Sequence, residues 1–173
     1  MKHKLLFSEE EIQKKVQELS DQIMQFYGSQ EILAIGVLKG AFVFYSDLLK
    51  YLGSNVVCDF MSISYYGDSK TASKEASIHL DVTQKIENKK ILLIDCIIDQ
   101  GRTIQTAKKH IEQRNPESIH IVGLVTKPAA HKNIQVDFSG FKIEQDAFVI
   151  GYGIDYKNQG RNLPYFAQVL DLN

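Results

Sequence analysis

Short apolar runs, each closed by polar or acidic residues, limit the folds open to this chain more than any other feature. Ile32–Leu38 and residues 55–64, 91–94 and 119–125 read as strands, and their apolar residues are not confined to alternate positions. A strand apolar on both faces must be covered on both faces, as in the parallel sheets of α/β proteins. Residues 41–52 and 103–114 read as the intervening helices. The alternation predicts an α/β fold with a central, mainly parallel sheet flanked by helices. Ligands of such sheets sit beyond the carboxyl ends of the strands, so residues just after each strand carry the chemistry.

The remaining segments fit around this frame. Ser8-Glu9-Glu10-Glu11 has the spacing of a capping box, in which serine and glutamate side chains satisfy each other's backbone donors. It opens an amphipathic helix with Ile12, Val16, Leu19, Ile23 and Phe26 on one stripe. Residues 65–77, YYGDSKTASKEAS, have the composition of a mobile loop, with a short strand over 78–82 returning from it. Residues 148–151 read as the last strand.

Length and charge narrow the function classes. A chain of 173 residues suits one domain over 1–173. A formal net charge of -1 gives no polyelectrolyte signal, so no nucleic-acid partner is expected. No stretch approaches the ~20 apolar residues that cross a bilayer, and no membrane partner is expected. Cys58 and Cys96 have neither metal-ligand spacing nor a disulfide ladder, and no two histidines stand in a metal-binding motif. The expectation is a soluble, cytoplasmic protein.

The most informative segment is ILLIDCIIDQGRTI, residues 91–104. A buried strand runs into Asp95, a turn carries Asp99, Gln100, Gly101, Arg102 and Thr103, and a helix begins. Glycine lets backbone amides approach an anion closely. The unpaired N–H groups of a helix start bind phosphate, with Thr103 adding a hydroxyl donor and Arg102 a positive charge. Carboxylates beside a phosphate cradle make sense where the ligand also offers sugar hydroxyls or bound Mg²⁺.

This segment resembles the phosphoribosyl pyrophosphate motif of type I phosphoribosyltransferases. The resemblance covers almost the whole chain and points to the hypoxanthine-guanine branch. Leu38-Lys39-Gly40 looks like the pyrophosphate-binding loop. Residues 59–67, DFMSISYYG, look like the strand and mobile-loop entry, with Tyr65 and Tyr66 at the loop. Val125-Thr126-Lys127 places a lysine where the family reads the purine 6-oxo group. Residues 148–156, FVIGYGIDY, look like the purine-stacking segment, and Arg161 sits where the branch places a pyrophosphate-contacting arginine. Alone, Lys127 would read as a surface lysine and Phe148 as core packing; five matches in the right order change that.

The resemblance implies the type I phosphoribosyltransferase fold, with a small hood and a mobile loop. It implies a Mg²⁺-dependent transfer from phosphoribosyl pyrophosphate to a 6-oxopurine, hypoxanthine and guanine, in purine salvage. Asp99 would be the general base. Asp95, Asp99, Gln100, Gly101, Arg102 and Thr103 would hold the phosphoribosyl group, and Lys39, Gly40 and Arg161 the pyrophosphate. Lys127, Phe148, Val149 and Asp155 would hold the purine, with Asp95 and Asp155 at the metal. A homodimer or homotetramer is expected.

Three positions depart from the family pattern. Cys96 replaces the second residue of an acidic pair, Gln100 the threonine of the phosphate loop, and Tyr65 a serine before the loop tyrosine. These departures leave open a catalytically weakened or regulatory nucleotide-binding relative. Residues 148–155 also leave open a transferase for another base such as xanthine. An unrelated doubly wound fold, such as a receiver-like domain, would lack the series from Lys127 to Asp155.

Overall fold

The computed structural model describes residues 2–66, 75–128, 134–143 and 147–171, with the side chains of all these except Tyr66 and Glu75. The nine described strands form two sheets. The larger runs in the order β4-β3-β2-β5-β6-β7, with β2 Ile32–Leu38, β3 Val56–Tyr66, β4 Glu75–Leu80, β5 Lys90–Ile98, β6 Ser118–Thr126 and β7 Phe138–Lys142. All of its neighbouring strands pair in parallel except the edge strand β4. The smaller, antiparallel sheet has the order β1-β9-β8, with β1 His3–Phe7, β8 Val149–Ile150 and β9 Phe166–Val169.

Side chains alternate across β5, and the two faces enter different cores. Leu92, Ile94 and Cys96 pack with α1 (Glu9–Tyr27) and α2 (Phe42–Leu49). Ile91 and Leu93 pack with Ile104, Ala107 and Ile111 of α3 (Arg102–Glu112). Cover on both faces is what continuous apolar strands require. Ser8 caps α1 in the expected capping box. Ile12, Val16, Leu19 and Ile23 are fully buried, each contributing about 1.5–3 kcal/mol by leaving water.

Several expectations are corrected. Phe26 is exposed and Tyr27 takes the inward position, one helical turn beyond Ile23. Residues 148–151 hold only the two-residue strand β8, which belongs to the small sheet, and β9 follows it. The expected mobile loop, 65–77, is in part regular ladder: Tyr65 pairs with Ala76 and Tyr66 with Glu75 across β3 and β4. Residues 67–74 of that loop lie outside the described residues.

Candidate active site

The site is built at the carboxyl ends of β2, β3 and β5. β5 continues through Asp95 to Ile98, and Asp99, Gln100 and Gly101 turn the chain into α3. Gly101 sits in the left-handed region with φ 73° and caps α3 without any side-chain hydrogen bond. α1 shows the contrast, since Ser8 and Glu11 occupy donors at its start. The first amides of α3 are therefore not taken by a capping side chain, and a helix start in that state accepts an anion.

A cavity of about 470 Å³ opens over this turn. Asp95, Asp99, Gln100, Gly101, Arg102 and Thr103 line it from the turn side, and Gly40, Tyr65, Asp155 and Arg161 from the other elements. Ile97, Ile98, Ile104 and Ile154 supply apolar wall that sequence reasoning did not assign. Cationic and anionic groups thus face one space, as a phosphorylated sugar with hydroxyls and a metal would need.

Asp95 is closely packed yet opens into the cavity. Burial pushes its carboxyl up to about 7, against the pull of hydrogen bonds from the backbone N–H groups of Cys96 and Ile97. Among the described residues no cation pairs with it. Cys96, next in the strand, points the other way: it is fully buried and its thiol donates to the Tyr152 carbonyl at 3.4 Å. Burial raises the Cys96 thiol well above its ordinary range, the Asp95 charge adding to the effect. The replacement of an acid by Cys96 therefore falls on the core face of β5 and leaves the cavity-facing carboxylate in place.

On the opposite rim, Gly153 at φ 97° backs onto the Leu38-Lys39-Gly40 turn, whose Leu38–Lys39 peptide is cis. A Cβ at Gly153 would meet the Gly40 oxygen at 2.3 Å, so only glycine allows the approach. Arg161 reaches over this contact. Its Nη1 donates to the Gly153 carbonyl at 2.7 Å and its Nη2 pairs with Asp155 Oδ1. The second Asp155 oxygen accepts from the Asn158 amide at 2.8 Å.

The candidate purine-side residues Lys127, Phe148 and Val149 lie beside the cavity rather than in its wall. Lys127 follows β6, its backbone N–H donating to the Ile98 carbonyl at 3.0 Å, and its side chain is buried. Its Nζ donates to Asp99 Oδ2 at 3.2 Å. Phe148 is 40% exposed, an aromatic face open to a flat ligand, with Tyr156 edge-on at 5.1 Å. Val149 is buried in β8.

Comparison with known proteins settles what this architecture is: residues 6–157 match the phosphoribosyl transferase domain. The chain belongs to the phosphoribosyl transferase family. It is 46% identical over 169 residues to the hypoxanthine-guanine phosphoribosyltransferase of Bacillus subtilis, covering 95% of this chain and 93% of that protein. The hypoxanthine phosphoribosyltransferase of Escherichia coli is 35% identical over 178 residues, covering 100% and 99%. The crystal structure of a hypoxanthine-guanine phosphoribosyltransferase from Bacillus anthracis matches with a TM-score of 0.89 at 36% identity, over 98% of this chain and 100% of that one. The fold is that of type I phosphoribosyltransferases, and the small antiparallel sheet is its hood.

Within this phosphoribosyl transferase, the phosphoribosyl-side candidates come together in one cavity wall, joined by Gly40, Asp155, Arg161 and Tyr65. Lys39 is exposed and lies outside that wall, as do the buried Lys127 and Val149 and the exposed Phe148. The Tyr66 side chain lies outside the described residues. No helix of the described residues is long and apolar enough to cross a membrane.

Proposed function

We infer that this chain transfers the phosphoribosyl group of phosphoribosyl pyrophosphate to hypoxanthine or guanine, forming the purine monophosphate and pyrophosphate in purine salvage. It is a pentosyltransferase, a hypoxanthine phosphoribosyltransferase. The observation that carries the reading is the cavity itself, where a helix start with no side-chain cap and the Asp95 carboxylate share one space with the Arg161 cation. The names of the relatives at 46% and 35% identity support the same substrates.

The geometry and the family resemblance support the following roles. The free amides at the start of α3, with Thr103, hold the 5′-phosphate, and Gln100 replaces a hydroxyl donor with an amide donor. Asp95 accepts hydrogen bonds from ribose hydroxyls. Arg161 and the Lys39-Gly40 turn hold the leaving pyrophosphate, placing charge where the transition state develops it. Phe148 stacks on the purine, the Val149 backbone bonds its exocyclic edge, and Lys127 donates to the 6-oxo oxygen. Asp99 takes the purine ring proton as the ring nitrogen attacks the anomeric carbon.

Mg²⁺ fits the residues present. Asp95 and Asp155 give two hard oxygen donors in one cavity, and a buried carboxyl near 7 gains from a cation. Two carboxylates with substrate phosphates and waters is the usual set for this ion. When bound, Mg²⁺ neutralises charge on the leaving pyrophosphate. Residues 1–173 act as one catalytic domain, working in the cytoplasm as a homodimer or homotetramer.

An assay of nucleotide formation with hypoxanthine, guanine, xanthine and adenine, with and without Mg²⁺, tests the reading. Turnover of hypoxanthine and guanine that needs the metal is expected. A preference for xanthine would reassign the base, and binding without turnover would make the chain a regulatory relative.

A further inference from the structure

We propose that Tyr65 and Thr106 are positioning residues that hold the phosphate-binding end of α3 against the sheet. The inference rests on the functional reading above but concerns a contact outside it. Tyr65 stands near the end of β3, fixed opposite Ala76 by the ladder with β4. Its ring packs against the core that contains Ile104, Ala107 and Ile111 of α3, and it lines the cavity beside Gly101, Arg102 and Thr103. Its hydroxyl meets Thr106 Oγ1 at 3.0 Å. Thr106 lies three residues after Thr103, and residues at that spacing are neighbours on one helix face.

The physical need for such a tie comes from what α3 must do. A helix that binds phosphate with its first amides leaves them unpaired until the ligand arrives. A serine or aspartate cap would steady the helix start but would occupy those donors, as Ser8 does in α1. α3 has no side-chain cap. Its far end is held independently, since Asp81 accepts from His110 Nε2 at 2.9 Å and lies 3.4 Å from Arg114 Nη1. The Tyr65 hydroxyl secures the near end from the side, consuming a threonine hydroxyl and no amide. A serine at 65 ends at its Oγ, whereas the phenol carries its hydroxyl the length of a ring further. The departure from the family pattern at Tyr65 is thus a bridge between the β3–β4 hairpin and the phosphate cradle. Groups held in place before binding do not have to be ordered by the ligand.

Steady-state kinetics and calorimetry on the full chain test this. Tyr65→Phe and Thr106→Val should each raise KM for phosphoribosyl pyrophosphate and Kd for inosine monophosphate by about 3- to 10-fold, the worth of one hydrogen bond. KM for hypoxanthine should stay unchanged. The double variant should be no worse than either single, because both remove the same contact. Thr106→Ser, which keeps the hydroxyl, should restore the wild-type values. Thermal melts establish that each variant is folded. Unchanged KM and Kd in both singles, additive losses in the double, or equal rises in both substrates' KM would overturn the role. A wild-type chain that binds no inosine monophosphate would overturn the functional reading, and this role with it; variants that bind as well as a competent wild type overturn the role alone.

Discussion

Lys127 and Asp99 meet across the ends of β6 and β5, the ammonium donating to the carboxylate at 3.2 Å. The two residues assigned to the purine's 6-oxo group and ring proton are therefore hydrogen-bonded to each other. Their polarity, one donor beside one acceptor, complements a 6-oxopurine edge that offers an oxygen beside an N–H. Adenine offers an amino group at the same place and gives Lys127 no ligand oxygen there.

Lys127→Met should accordingly raise KM for hypoxanthine by about 10- to 10²-fold, the loss expected for a hydrogen bond from a charged donor. The preference for hypoxanthine over adenine should shrink in parallel. Rates with both bases measure it. Undiminished discrimination would move base selection elsewhere.

Asp99→Asn should slow turnover on the order of 10²-fold, the lower end of what a lost general base costs, while retaining nucleotide binding. If Asp99 serves only to shape the turn, the substitution costs at most about 0.5–2 kcal/mol of stability and leaves turnover per folded molecule intact. Turnover number and melting temperature, taken together, separate the two roles.

Phe148→Ala should weaken inosine monophosphate binding by about 1–3 kcal/mol, the worth of a base–aromatic stack. Phe148 is 40% exposed, so the melting temperature should move little. Calorimetry showing unchanged affinity would remove the stack.

Asp95 makes the stability of the protein sensitive to pH. Its folded carboxyl titrates at about 7 against an ordinary value of 3.8, because burial disfavours the charge. A raised value contributes stability that is complete below the unfolded value and is lost as pH rises through the folded one. Asp95→Asn should therefore gain in melting temperature over the wild type progressively between pH 4 and pH 8. A constant difference across that window would contradict the assignment.

How much of this was legible in the sequence depended on whether the relevant residues were contiguous. β2, β5 and β6 are buried on both faces and read directly as unbroken apolar runs. β7 was missed because FSGFK breaks its apolar pattern with Ser139 and Gly140. Gly140 is there because a Cβ would meet the Leu124 carbonyl at 2.5 Å. The hood sheet was hidden for another reason: β8 is only two residues long and pairs with β9 alone, and β9 in turn pairs with β1 from the far end of the sequence. The turn proposed as the phosphate cradle lies within one stretch of sequence, so its candidate residues could be named together. The Tyr65–Thr106 contact and the turning of Cys96 into the core depend on tertiary packing, which no local spacing reports.

The most direct test of the account is the stoichiometry of the reaction. Purified chain with Mg²⁺, phosphoribosyl pyrophosphate and hypoxanthine should yield inosine monophosphate and pyrophosphate in equal amounts, and a chelator should stop both. Absence of inosine monophosphate from a folded, metal-supplied protein, with phosphoribosyl pyrophosphate left intact, would contradict it.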